Sequence, residues 1–132
     1  MLKVLTSLLW AYEEPTDEFF STVAMCEEQA IRYANVAGDY KTAYVIESVL
    51  YRQLTRLMYP PERFREPGSQ VAQLIDDAEN HQTKAWLTEE FEDDYKTAYE
   101  LVYEAVQNWK QMIAIVDDLA SNEEAITTDL VT

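Results

Sequence analysis

The chain is poor in glycine, histidine, cysteine and basic residues. Among 132 residues there are two glycines and four prolines, so tight turns are scarce. A β-sandwich or barrel needs frequent turns, and long helices do not. Cys26 is the single cysteine. No internal disulfide holds the fold, and a reducing, cytoplasmic compartment is the expected setting. Ten basic residues against 25 acids give a formal charge of −15. That balance excludes the electrostatic footprint of a direct nucleic-acid binder and recruitment to an anionic membrane by a basic face. No apolar run approaches the length of a membrane span. MLKVLTSLLW carries a lysine and a short apolar stretch, but AYEEPTDE follows where a signal peptide would place small residues for cleavage.

Catalytic chemistry is scarce for the same reason. A Ser–His–Asp or Cys–His site would have to use His81, the single histidine, which lies among Glu79, Asn80 and Gln82 and is expected on an exposed helical turn. Cys26 adjoins Glu27 and Glu28, whose charges raise a thiol pKa. There is no Glu-x-x-His motif for a di-iron bundle and no Asp-x-Asp-x-Asp-Gly calcium loop. No catalytic residue, cofactor or metal ligand is therefore expected.

What the sequence does contain is helical periodicity. Apolar residues make up 48% of the chain, enough for a core. Phe91, Tyr95, Ala98, Val102, Ala105, Trp109, Met112, Val116 and Leu119 follow spacings of four and three, a heptad seam. Tyr99, Val106 and Ile113 widen the stripe, which suits a helix with several neighbours. Thr88 is the expected N-cap, Glu89 and Glu90 the first turn, and Ser121-Asn122 the stop. A second seam runs from Tyr40 to Leu57, capped by Asp39 and ended by Tyr59-Pro60-Pro61. Phe20, Val23, Glu27, Ala30, Ile31 and Ala34 share a helical face before it, with Gly38 as a left-handed stop. Shorter helices are expected before Pro15 and from Ser69 to about Ala85. The expected fold is an all-α antiparallel bundle of four or five helices over residues 1–120, with a long C-terminal helix. Residues 121–132 form a short acidic tail expected to fray. The seam can close within one chain or across a homodimer.

DYKTAY occurs at Asp39–Tyr44 and again at Asp94–Tyr99, 55 residues later, as two copies of a helical hairpin would place it. GDYKTA at Gly38–Ala43 resembles the junction between the two helices of a tetratricopeptide repeat. The resemblance covers six residues and implies a helical hairpin. Ile31 and Asp93 depart from that repeat's small residue and glycine.

Charge is unevenly spread. Residues 32–65 hold six bases and three acids, whereas residues 66–132 hold three bases and sixteen acids. Glu89/Asp93 and Glu90/Asp94 fall one helical turn apart, about 5–6 Å between Cβ atoms, where like charges destabilise a helix. That spacing is close to the phosphate repeat of a nucleic-acid strand, so an acidic helix face can occupy a groove built for DNA or RNA. Glu89, Glu90, Asp93 and Asp94, supported by Asp76, Asp77 and Glu79, are the candidate partner-binding acids. The proline-stiffened loop adds Tyr59, Arg63 and Phe64, types enriched at binding hot spots.

The expected function is thus a non-enzymatic inhibitor or regulator that docks on the basic, nucleic-acid-binding surface of another protein. Small acidic proteins of phage or mobile-element type offer an analogy. A second expectation is an adaptor or assembly chaperone, gripping a partner peptide between the DYKTAY hairpins. A third is a carboxylate-metal nucleotide hydrolase using Glu27, Glu28 and Glu47. Leu50 stands where that chemistry wants a further carboxylate. Glu27 and Glu47 lie on their seams, where a buried acid needs a partner such as Arg52, Arg56 or a tyrosine hydroxyl.

Overall fold

The structure is a computed structural model that describes residues 2–131, with side chains described over 6–124. Five α-helices follow one another: α1 (Leu2–Ala11), α2 (Asp17–Asn35), α3 (Tyr40–Leu57), α4 (Gln70–Glu92) and α5 (Tyr95–Val131). A single 3₁₀ turn, Glu62–Phe64, lies in the loop before α4. No strand occurs among the described residues. The all-α bundle with a long last helix is therefore the observed architecture.

Short polar side chains start the helices. The Phe19 amide donates to Thr16 Oγ1 at 3.2 Å, and the Ala72 amide donates to Ser69 Oγ at 3.1 Å. Asp39 takes two bonds from one residue, the Thr42 amide at 3.1 Å and the Thr42 hydroxyl at 2.7 Å. Asp94 repeats this with Thr97, at 3.1 and 2.6 Å. Each cap satisfies a backbone amide that the first turn leaves without an intrahelical partner. Gly38 adopts φ +66° between α2 and α3, the conformation open to a residue without Cβ.

Two expected boundaries move. Thr88 is not a cap: its hydroxyl donates to the Lys84 carbonyl inside α4, at 2.7 Å. Helix α4 runs on to Glu92, Asp93 turns into the left-handed region at φ 54°, and Asp94 starts α5. The seam from Phe91 to Leu119 therefore spans two helices, and Phe91 is 75% exposed at the end of the first. Asp94 wins because its carboxylate accepts two hydrogen bonds from Thr97 at the start of a new helix. At the other end, α5 passes Ser121 and Asn122 without a break.

The DYKTAY repeat explains the packing. Tyr40 meets Tyr99 and Tyr44 meets Tyr95, both with ring centroids 6.2 Å apart. Lys41 lies 5.6 Å over the Tyr95 ring and Lys96 lies 5.9 Å over Tyr40. These contacts are reciprocal, as about a quasi-two-fold axis, and Tyr51 on Trp109 further along both helices shows that α3 and α5 run parallel. Residues 55 apart also share burial: Val23 with Ala78, Ala30 with Ala85, Ala43 with Ala98, Leu50 with Ala105 and Leu54 with Trp109. Small residues on the central helices let their backbones approach. The α2–α3 and α4–α5 hairpins are thus two versions of one unit.

In this register Met112 is the counterpart of Leu57, so α5 overshoots the end of α3. The proline loop covers the overshoot. Tyr59 packs on Trp109 at 5.8 Å, and Arg63 Nε bonds both carboxylate oxygens of Glu123 at 3.1 Å. Helix α1 closes the same end. Arg56 donates to the Tyr12 carbonyl at 2.6 Å, just past the end of α1, where a cation meets the negative end of the helix dipole. Trp109 is 1% exposed and joins loop, α3 and α5 through Tyr59 and Tyr51. Trp109→Ala is expected to lower stability by about 3–5 kcal/mol in urea unfolding, with Trp109→Phe losing less.

Candidate functional site

Helix α4 is the outer helix of its hairpin. Val71, Ile75, Ala78 and Ala85 are its buried stripe. Asp76, Glu79 and Glu90 are exposed beside that stripe, and Asp76 and Glu79 line a cavity with Tyr59 and Arg65 of the proline loop. At 100° per residue these three acids fall within one sector, spread over about 21 Å of helix. Ion pairs between described residues join Arg32 to Glu28, Arg63 to Glu123 and Lys110 to Glu27, so none of them uses an α4 acid. The outward charge of α4 is left to solvent or to a partner.

The remaining expected acids divide by role. Asp93 is exposed and forms the left-handed corner. Asp77 is half-buried and accepts from Gln73 Nε2 at 2.9 Å within the helix. Glu89 is half-buried, and its charge helps burial to raise the Tyr44 phenol. Asp94 departs from the expected role, because both its oxygens are taken by Thr97. Those bonds hold its carboxyl below the usual range, as the matching bonds do for Asp39. Glu89 and Glu90 stand in the last turn of α4 and not, as expected, in the first turn of α5. There the helix dipole opposes them.

The loop residues are mostly occupied in holding the loop. Phe64 is 8% exposed and packs inward, a correction to its place on a contact surface. Arg63 lies 4.3 Å over the Phe64 ring while it pairs with Glu123. Tyr59 is 51% exposed, with one face on Trp109 and Arg65 5.0 Å from its ring.

Sequence reasoning missed an apolar cluster beside the acids. Trp86 is 48% exposed, Leu87 41% and Phe91 75%, and the two rings meet edge to face at 6.4 Å. The signal was available. DYKTAY at Asp39 starts a helix, so DYKTAY at Asp94 starts one too, and Phe91 must then lie outside the seam.

Inside the bundle, Glu27, Glu28 and Glu47 do not converge. Glu27 takes bonds from Gln107, at 2.8 Å, and from Lys110. Glu28 faces outward and pairs with Arg32 at 3.0 Å. Glu47 is fully buried, and neither carboxylate oxygen has a hydrogen-bond partner. The expected Arg56 stands nine residues further along the same helix, about 13.5 Å up its axis and on the other side, and bonds Gln53 Oε1 and the Tyr12 carbonyl instead. Burial first, and then the Glu27 charge against the weaker pull of Lys110, push the Glu47 carboxyl up to about 8. Its counterpart in the second hairpin is Val102, which is buried and apolar. Cys26 is raised to about 11 by burial and then by Glu47, whereas its sequence neighbours were the expected cause. His81 is half-buried, not exposed, with Nδ1 2.9 Å from Asn108 Oδ1. Among the described residues no three His, Cys, Asp or Glu side chains gather as a metal-binding group. None of their helices is long and apolar enough to cross a membrane.

Comparison of the chain with protein-family models, curated proteins and solved structures finds no match. Function must be read from the chemistry of these surfaces.

Glu47 sets a pH dependence. Its carboxyl stays neutral in the folded chain up to about 8 and ionises from 4.5 once unfolded. Its stabilising share is full below 4.5 and is lost as pH rises toward 8. Thermal melts should show the parent falling behind Glu47→Gln across that window, with a constant gap above it. Parallel curves from acid to alkaline pH would contradict a neutral buried Glu47.

Proposed function

We propose that this protein is a non-enzymatic binding factor that presents the outer face of α4 to a basic surface on another protein. In its sharper form that surface is one that otherwise binds DNA or RNA, and the protein acts as its inhibitor or regulator. The supporting observation is the position of Asp76, Glu79, Glu90 and Asp93. All four are exposed on or just past one helix, outside the ion pairs found between described residues. A helix holding these charges outside any ion pair between described residues is poorly served for stability and well served for capture of a cationic partner. A reducing, cytoplasmic setting suits the free, buried Cys26.

The adaptor reading has less room. The rings of Tyr40, Tyr44, Tyr95 and Tyr99 fill the space between the DYKTAY segments where a peptide would lie. The hydrolase reading needs Glu27, Glu28 and Glu47 together, and these point to separate partners or to none.

A pull-down from nuclease-treated lysate, eluted with a salt gradient and read by mass spectrometry, tests the proposal. The expected result is a nucleic-acid-binding protein released at moderate salt and competed by added DNA or RNA. Charge reversal of Asp76, Glu79, Glu90 and Asp93 to lysine should abolish its capture and leave the circular dichroism spectrum unchanged. A partner held equally by the reversed protein would refute the electrostatic reading.

A further inference from the structure

The two hairpin corners do the same mechanical job, so each is a control for the other. The α2–α3 corner follows the rules for stopping a helix. It has Arg32 in the last turn and Gly38 in the left-handed position. The α4–α5 corner, 55 residues on, breaks each rule. It has Glu89, Glu90 and Glu92 in the last turn, no base there, and Asp93 at φ 54° where its counterpart has glycine. It also exposes Trp86, Leu87 and Phe91 where the first corner has Ile31, Arg32 and Val36. Val36 is itself 84% exposed, so the fold leaves this position outside the core in both copies and gains nothing by making it phenylalanine. Folding needs only what the first corner has. The excess in the second, three large apolar side chains and a set of acids, answers to another demand.

We propose that the α4–α5 corner is the docking site for a basic amphipathic segment of a partner protein. An apolar side chain of that segment seats on Trp86, Leu87 and Phe91. Lysines or arginines beside it meet Glu90, Glu92 and Asp93. Charge complementarity selects this occupant. Lys84, one turn back on α4, is the nearest base on that helix, and Lys96 at the start of α5 is drawn toward Tyr40. A neutral apolar peptide would leave the acids facing an apolar wall, and a purely cationic strand would leave the rings wet. A second copy of the chain would bring like charge against like. The inference rests on the proposed function and adds an apolar anchor to it, so binding here is only partly screened by salt.

Trp86 is a built-in reporter. In a Trp10→Phe background, Trp86 is the exposed tryptophan and Trp109 is buried. Two probes are compared by fluorescence titration: a synthetic helix of leucines and lysines with leucine on one face, and an oligolysine of equal charge. The expected result is a blue shift of Trp86 with the amphipathic peptide at physiological salt and none with oligolysine. Phe91→Ser with Leu87→Ser should weaken that peptide about tenfold, near 1.4 kcal/mol. Both positions are exposed, so circular dichroism should report an intact fold. If the two probes bind alike and the double variant changes nothing, the corner proposal is overturned while the acidic-face reading stands. If neither binds even at low salt, both fall. A concentration-dependent blue shift without peptide, abolished by Phe91→Ser, would make a second copy the occupant and overturn the choice made here.

Discussion

Asp39 and Asp94 each hold the first turn of a helix, and the two turns stand side by side because Tyr40 meets Tyr99 and Tyr44 meets Tyr95. The rest of the bundle follows from that reciprocal contact. With Tyr51 on Trp109 further along, it sets α3 and α5 parallel and in register. Each then needs an antiparallel partner to cover its other side, which α2 and α4 supply. Because α5 is longer, the same register leaves its last turns uncovered, and the proline loop fills part of that gap through Tyr59 and Arg63.

The quasi-symmetry also separates what the fold needs from what it tolerates. Val102 is the apolar solution at a buried position whose counterpart is Glu47. A buried carboxyl without a hydrogen-bond partner costs stability unless it is neutral, and burial keeps it neutral. The paired and the unpaired acid lie on neighbouring helices. Glu27 has Lys110 and Gln107, and its charge discourages ionisation of Glu47.

Charge follows the same division. The first hairpin supplies Arg56 to the carbonyl beyond α1, and α5 of the second supplies Lys110 to Glu27. The second holds its acids outward on α4, and its corner adds exposed rings among them.

Helix class, the hairpin at Gly38, the cap at Asp39, the stop before Pro60 and the core place of Trp109 were all legible in the sequence. Each depends on periodicity or on one residue's backbone preference, and these are local properties. The break at Asp93 was legible only through the repeat. Its acid pairs imitate a helix start, and the apolar spacing runs across it without losing phase. Which polar groups would find partners was not legible. Glu47 stayed without a hydrogen-bond partner, and only the arrival of α1 beside α3 gave Arg56 the Tyr12 carbonyl. Phe64 and Phe91 were equally ambiguous. Tertiary packing buried the first under the loop and left the second in water, because burial depends on which helix arrives opposite a side chain, and local sequence does not contain that.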